Sequence, residues 1–145
     1  MKEAKIQKLT TTAVIPTRGS IKAAGYDLYC DDEWVEIRPG ACAKIHTGLA
    51  ITPPEGYFGA VAARSGLATK QGLRPANCIG VCDEDYTGEY IVVLYNDSNE
   101  IQTVARGERI AQLIFLPYED ITFVRVDKLN ETQRGAGGFG STGNK

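Results

Sequence analysis

The sequence predicts an all-β subunit, a distorted jelly roll or β-barrel with one short helix and a flexible glycine-rich C-terminal arm. Three observations carry this. Short apolar runs rich in β-branched and aromatic residues recur along the chain. Clusters of Gly, Pro, Asn and Asp separate them, and helical periodicity is nearly absent. Many short strands without intervening helices favour a closed or double-sheet β architecture.

In chain order the expected strands are AVIP (13–16), GYDLYC (25–30), WVEI (34–37), ACAKIHTGLAI (41–51), YFGAVAA (57–63), EYIVVLY (89–95), IQTV (101–104), RIAQLIFLPY (109–118) and ITFVRVDKL (121–129). TRGS, RPG, TPPEG, DYTG, YNDSNE, ARGE and LPYED supply the turns. RSGLATKQG (64–72) is the exception, with Ser65 as a candidate N-cap and room for only a turn or two of helix. NCIGVCDEDYTGEYIVVLYN (77–96) reads as a β-hairpin with its tip in DEDYTG. Residues 1–133 therefore form one β domain. The tail RGAGGFGSTGNK (134–145) cannot pack a core, because its five glycines offer nothing to bury. It is either a frayed end or a mobile arm that closes over a ligand.

A chain of 145 residues with 43% hydrophobic and 23% charged residues fits one soluble domain. Its net charge of −2 argues against binding along a nucleic-acid backbone, which needs a basic face. A small anion held by a few local arginines remains compatible. The start MKEAKIQKL lacks the apolar centre of a signal peptide and no run is long enough for a membrane span, so a cytoplasmic protein is expected. Cys30, Cys42, Cys78 and Cys82 form no C-x-x-C pair, which favours free thiols over zinc. The single histidine, His46, leaves Ser-His-Asp chemistry poorly supplied.

Polar residues in unusual places mark the candidate chemistry. Asp27 interrupts an apolar strand, either as a turn cap or as a carboxylate that orients the waters of a hard cation such as Mg²⁺. Arg64, Ser65 and Gly66 open the short helix, where amides and a forked guanidinium suit phosphate. Asp83, Glu84 and Asp85 crowd the hairpin tip; strand alternation points Asp83 and Asp85 to one side and Glu84 to the other. One of them could act as a general base for an attacking water. Tyr86 could lie under a sugar, and Asn77 offers a donor and an acceptor to a base edge. Gln112, in an apolar strand, is a structural hydrogen-bonder or a ligand contact. The tail holds GxGxxG as Gly135, Gly137 and Gly140, without the strand and helix such a motif needs.

In order, AGYDL, ARSGLA, GVCDEDYTGEY, GERIAQLIF and RGAGGFGSTG resemble the five motifs of the trimeric dUTPases (deoxyuridine triphosphate nucleotidohydrolases). The similarity spans nearly the whole chain. It implies a jelly-roll or β-barrel homotrimer with shared active sites, Mg²⁺ as cofactor, and hydrolysis of dUTP to dUMP and pyrophosphate. That activity would keep uracil out of DNA and supply dUMP for dTTP synthesis. By position, the resemblance assigns Asp83 as the base that activates water against the α-phosphorus, and Asp27 as an indirect Mg²⁺ ligand through waters. Arg64, Ser65, Gly66 and Gln112, with Arg134, Ser141 and Thr142 from the tail, would contact phosphates. Asn77 and the backbone of Gly80, Val81, Cys82 and Asp83 would read uracil, with Ile91 and Gly140 beside the nucleoside. Tyr86 would pack under deoxyribose and Phe139 would stack on uracil.

Three positions depart from the family pattern: Ala63 replaces the usual proline before R-S-G, Cys82 a branched aliphatic, and Thr87 a common arginine. None removes a group the chemistry needs. A dCTP deaminase would share the fold but need an acid/base aimed at the pyrimidine C4. A regulatory protein-binding role is compatible as a second role, since the complete catalytic set argues for retained enzymatic activity, whereas a structural jelly roll would not require Asp83, Arg64 and the glycine tail together.

Overall fold

The computed structural model describes residues 2–138; Phe139, Gly140, Ser141 and Thr142 lie outside the described residues. Ten strands and one helix follow in the order β1 (Lys5–Lys8), β2 (Tyr26–Tyr29), β3 (Trp34–Ile37), β4 (Cys42–Thr52), β5 (Tyr57–Ala62), α1 (Ser65–Gln71), β6 (Leu73–Pro75), β7 (Ile79–Cys82), β8 (Glu89–Asn96), β9 (Gln102–Ala105) and β10 (Arg109–Pro117). Antiparallel pairing builds two four-stranded sheets, β1-β4-β8-β6 and β2-β10-β5-β7, with β3-β9 as a two-stranded ribbon. The chain is a distorted jelly roll. Alternate residues of facing strands fill its interior: Leu28, Ile45, Leu49, Leu94, Ile110 and Leu113 are all fully buried.

Four expectations need correction. AVIP forms no strand. Pro16 has no N–H to donate, and Ala13 N donates instead to the Thr10 hydroxyl, so only an isolated bridge at Thr17 joins this stretch to Asp27. ITFVRVDKL is likewise not a strand: Phe123, Val124 and Leu129 are exposed, and no sheet edge in the described chain takes them. Two strands were not foreseen. KIQK is exposed along its whole length and pairs only with the end of β4, so its lysines hid an edge strand. LRP is a three-residue strip on β8.

The hairpin is the fourth correction. β7 pairs with β5 and β8 pairs with β4, so the two arms belong to different sheets and do not pair with each other. Each arm has a longer partner elsewhere, and DEDYTG bridges the sheets instead of closing a tight two-residue turn. The strongest ladder, β4 with β8, contains a wide irregularity. His46 faces Ile91 and Ala50 faces Glu89, so four steps on β4 oppose two on β8. Gly48 makes this bend at φ +64°. Its amide donates to Glu89 Oε1 at 2.8 Å, its carbonyl accepts from Leu9 N at 2.7 Å, and Thr47 Oγ1 donates to the Tyr90 carbonyl at 2.6 Å.

Asn96 closes the other end of β8. It is fully buried, and its amide donates to the Ile37 and Glu100 carbonyls at 2.8 Å while its Oδ1 accepts from Ser98 N and Oγ. Every hydrogen-bonding position of the side chain is satisfied.

A methyl group on Gly48 would lie 2.6 Å from Thr10 Oγ1, 2.7 Å from Asp31 Oδ2 and 2.8 Å from Ala13 Cβ. Gly40 has a similar φ of +69° but nothing within 4 Å. Gly40→Ala should therefore cost only the left-handed backbone, about 1–2 kcal/mol. Gly48→Ala should cost about 3 kcal/mol or more, because crowding adds to the strain. Urea unfolding midpoints of the two variants measure the difference.

Candidate active site

Two clefts gather the candidate residues. The first, about 450 Å³, lies where β7, the 83–88 bridge and β8 meet. It is lined by Asn77, Gly80, Val81, Cys82, Asp83, Tyr86 and Ile91, so every nucleoside candidate among the described residues is there. Its size suits a nucleoside, and its walls are mostly apolar with a few polar groups.

The backbone fixes these groups tightly. Ala76 N donates to Val93 O at 2.8 Å, and Cys78, at φ 62°, turns the chain so that its N donates to Pro75 O at 3.1 Å. That turn presents Asn77. Gly80 has no side chain where a Cβ would stand 3.1 Å from Val61 Cβ, so β7 can lie close against β5, and the Asn77 amide stands 3.6 Å from the same point. Tyr86 donates from its hydroxyl to the Glu89 carbonyl at 3.0 Å and leans on the Tyr90 ring, with centroids 6.2 Å apart. Burial pushes the Cys82 thiol up, so it stays protonated as a small neutral filler beside Asp83. The Tyr90 phenol is raised by burial as well.

The three acids of the bridge together line a third cleft with Phe58, Val81 and Tyr118, and of the three only Asp83 also lines the nucleoside cleft. Glu84 accepts from Gly56 N at 2.7 Å, a structural bond. Asp85 does not line the nucleoside cleft. Asp83 does, and it is the acid placed to meet a ligand there.

The second cleft, about 410 Å³, contains Asp27, Arg64, Ser65, Gly66, Arg109 and Gln112. Strand register sets this group: Gln112 of β10 lies opposite Asp27 of β2 and Ala62 of β5. Arg64, not Ser65, is the N-cap residue of α1, with extended φ/ψ and no side-chain cap. Its guanidinium is thereby directed into the cleft, where Nε donates to Asp27 Oδ1 at 2.8 Å and Nη1 donates to Arg109 O at 3.2 Å. Arg109 Nη1 donates to the other Asp27 oxygen at 3.3 Å. Gln112 Nε2 donates to Ala63 O at 2.8 Å, a backbone contact that the alanine in place of proline leaves intact. Gly25 makes room for this amide, since a Cβ there would come within 2.5 Å of Gln112 Oε1.

Arg109 was missed by the sequence reading. It stands three residues before Gln112, which strand alternation puts on the opposite face. A register shift between Arg109 and Ala111 turns it back to the same cleft. Such a bulge leaves no mark in the sequence.

For a cation, Asp27 is the only carboxylate in the second cleft, and no group of three His, Cys, Asp or Glu suited to a metal occurs among the described residues. This donor set fits a hard ion that keeps its waters and takes most of its ligands from phosphates, as Mg²⁺ does. Arg134 lies in neither cleft; its Nε donates to Gly137 O at 2.9 Å within a turn of the exposed tail. The linings of the two clefts share no residue, so within one chain the nucleoside and phosphate candidates line different clefts.

Residues 11–143 match the family model for dUTPase. The chain is 45% identical over 141 residues to the deoxyuridine 5'-triphosphate nucleotidohydrolase of Saccharomyces cerevisiae, covering 97% of this chain and 94% of that protein. It is 50% identical over 131 residues to the enzyme of the same name from Desulfitobacterium hafniense, covering 89% and 87%. A mutant dUTPase of Staphylococcus bacteriophage 80alpha, solved with dUpNHpp, superposes with a TM-score of 0.88 at 28% identity and 99% coverage of both chains. With the two clefts built largely from residues of the first four motifs, and with a family model matching 11–143, the chain belongs to the dUTPase family of enzymes, which hydrolyse dUTP.

Proposed function

We propose that this chain converts dUTP to dUMP and pyrophosphate by attack of an Asp83-activated water on the α-phosphorus. The observation that carries the reading is the placing of Asp83 at the cleft that also holds Asn77, Gly80 and Tyr86. A uracil edge paired to Asn77 and to the β7 backbone, with the sugar over Tyr86, brings the α-phosphate toward the Asp83 carboxylate. Asp83 takes a proton as the water oxygen bonds to phosphorus, and the bond to the bridging oxygen breaks to release pyrophosphate. Backbone packed along the base leaves no space for a methyl group on C5, which disfavours thymine.

Arg64, Ser65, Gly66 and Gln112 bind the phosphates, and Arg109 joins them. Mg²⁺ held on the triphosphate through waters at Asp27 would neutralise charge on the leaving group. Arg134, Ser141, Thr142, Phe139 and Gly140 complete the site from the tail. Positioning and charge neutralisation then supply most of the rate.

The site is shared in a homotrimer. Two observations support this: the clefts are separate within one chain, and segment 121–129 exposes an apolar surface with no sheet edge of its own to cover it. An apolar groove of about 480 Å³ lined by Ile6, Ile15, Tyr26, Leu113 and Phe115 offers a matching surface to another copy.

Asp83→Asn keeps the shape but cannot take the proton, so kcat should fall roughly 10²–10⁴-fold with dUTP affinity nearly unchanged. Pyrophosphate release and calorimetry measure the two; retained turnover would pass the role to Asp85. Light scattering at micromolar concentration should give the mass of three chains, and a fully active monomer would refute the shared site. None of the described tail residues, 134–138, has a buried side chain, so on ending the chain before Arg134 the melting temperature should hardly move while turnover falls far more than affinity. Phe139→Ala should reproduce part of that loss and Phe139→Trp little of it, because stacking needs a flat ring.

A further inference from the structure

We propose that Gly88 is a specificity-determining positioning residue, whose missing side chain creates the space in which the Tyr86 phenol stands. The proposal rests on the reading of Tyr86 as the surface beneath deoxyribose and deepens it. A Cβ on Gly88 would lie 2.5 Å from the Tyr86 hydroxyl oxygen, 2.6 Å from Cζ and 3.0 Å from Cε2. No real carbon tolerates such contacts, so any larger residue at position 88 must displace the ring.

The backbone does not itself demand glycine here. Gly88 is absent from the left-handed region that Gly40, Gly48, Gly56 and Gly72 occupy. Alanine therefore meets a side-chain obstacle and not a backbone one. The obstacle is also movable: Tyr86 is 44% exposed, and the groups that hold its ring are the Glu89 carbonyl and the Tyr90 face.

Glu89 cannot follow the ring as it moves. Its carboxylate accepts from Gly48 N at 2.8 Å through Oε1 and meets His46 Nδ1 at 2.9 Å through Oε2. A carbon added at Gly88 thus separates the phenol from a fixed carbonyl and shifts the ring from its place in the cleft wall. The fold keeps its core, whereas the wall under the sugar loses its position. Discrimination against a 2′-hydroxyl depends on that wall standing within contact distance of C2′, so the sugar specificity should change before the stability does.

The test compares kcat/KM for dUTP and UTP in the full-length protein and its variants, with melting temperature and mass followed alongside. Gly88→Ala is expected to lower the dUTP preference about tenfold or more, with mass and melting temperature close to those of the parent. Tyr86→Ala should lower it at least as much. The double variant should match Tyr86→Ala alone, because position 88 acts only through the ring. An unchanged preference in Gly88→Ala beside a collapsed one in Tyr86→Ala overturns the proposal and spares the reading of Tyr86. An unchanged preference in Tyr86→Ala overturns both. Should Gly88→Ala fail to fold, the double variant decides: folding restored by removing the phenol supports the clash, and continued failure overturns it.

Discussion

The Glu89 carboxylate, bonded at once to Gly48 N and His46 Nδ1, fixes the joint on which the molecule depends. It locks the place where β4 runs four residues past two of β8, and so sets the register of the longest ladder. Hydrogen bonding to Glu89 raises the pKa of His46, so the pair is stronger when the imidazole is charged. That contribution is full below the ordinary histidine pKa and fades as pH rises through the raised one. It is small, since the imidazole is half-exposed. The bond from the Gly48 amide does not depend on the charge of the imidazole. From this joint β8 carries Tyr90 into the core and offers the Glu89 carbonyl to Tyr86, so one bend in a strand reaches as far as the wall of the first cleft.

Asp27 organises the phosphate end by the same economy of groups. One carboxylate, 14% exposed, receives donors from Arg64 and Arg109 on its two oxygens. Neither arginine is consumed by it: Arg64 uses Nη1 on a carbonyl, and the Arg109 side chain is half-exposed. The cluster has one negative and two positive side chains, a surplus of one cation from 2 − 1, and so favours an anion. Removing Asp27 would leave two guanidiniums crowded without the carboxylate that both now contact.

In the nucleoside cleft three side-chain sizes meet. Cys82 is small, and Tyr90 is a large ring that packs beside it. Its hydroxyl would stand 3.0 Å from a Cβ on Gly59, and Cys82 Cβ would stand 3.4 Å from the same point. Gly59, Cys82 and Tyr90 come from β5, β7 and β8, so the three sizes are set jointly across two sheets. The protonated thiol beside Asp83 fills space without adding charge.

Local chemistry determined much of this protein from the sequence alone. Alternation and turn residues identified eight of the ten strands at least in part, since each strand's apolar face and each glycine turn is a property of a few adjacent residues. Motif order singled out Asp27, Arg64, Asn77, Asp83, Tyr86 and Gln112, and the fold places Asn77, Asp83 and Tyr86 on one cleft and Asp27, Arg64 and Gln112 on another. Tertiary structure decided what depends on distant partners. KIQK became a strand because the end of β4 was free to pair with it, while ITFVRVDKL, with better strand residues, met no edge and stayed unpaired. The arms expected to form a hairpin joined different sheets, and a register shift in β10 brought Arg109 beside Gln112. Pairing partner and register are choices among competing edges, and no residue carries that choice in its own side chain.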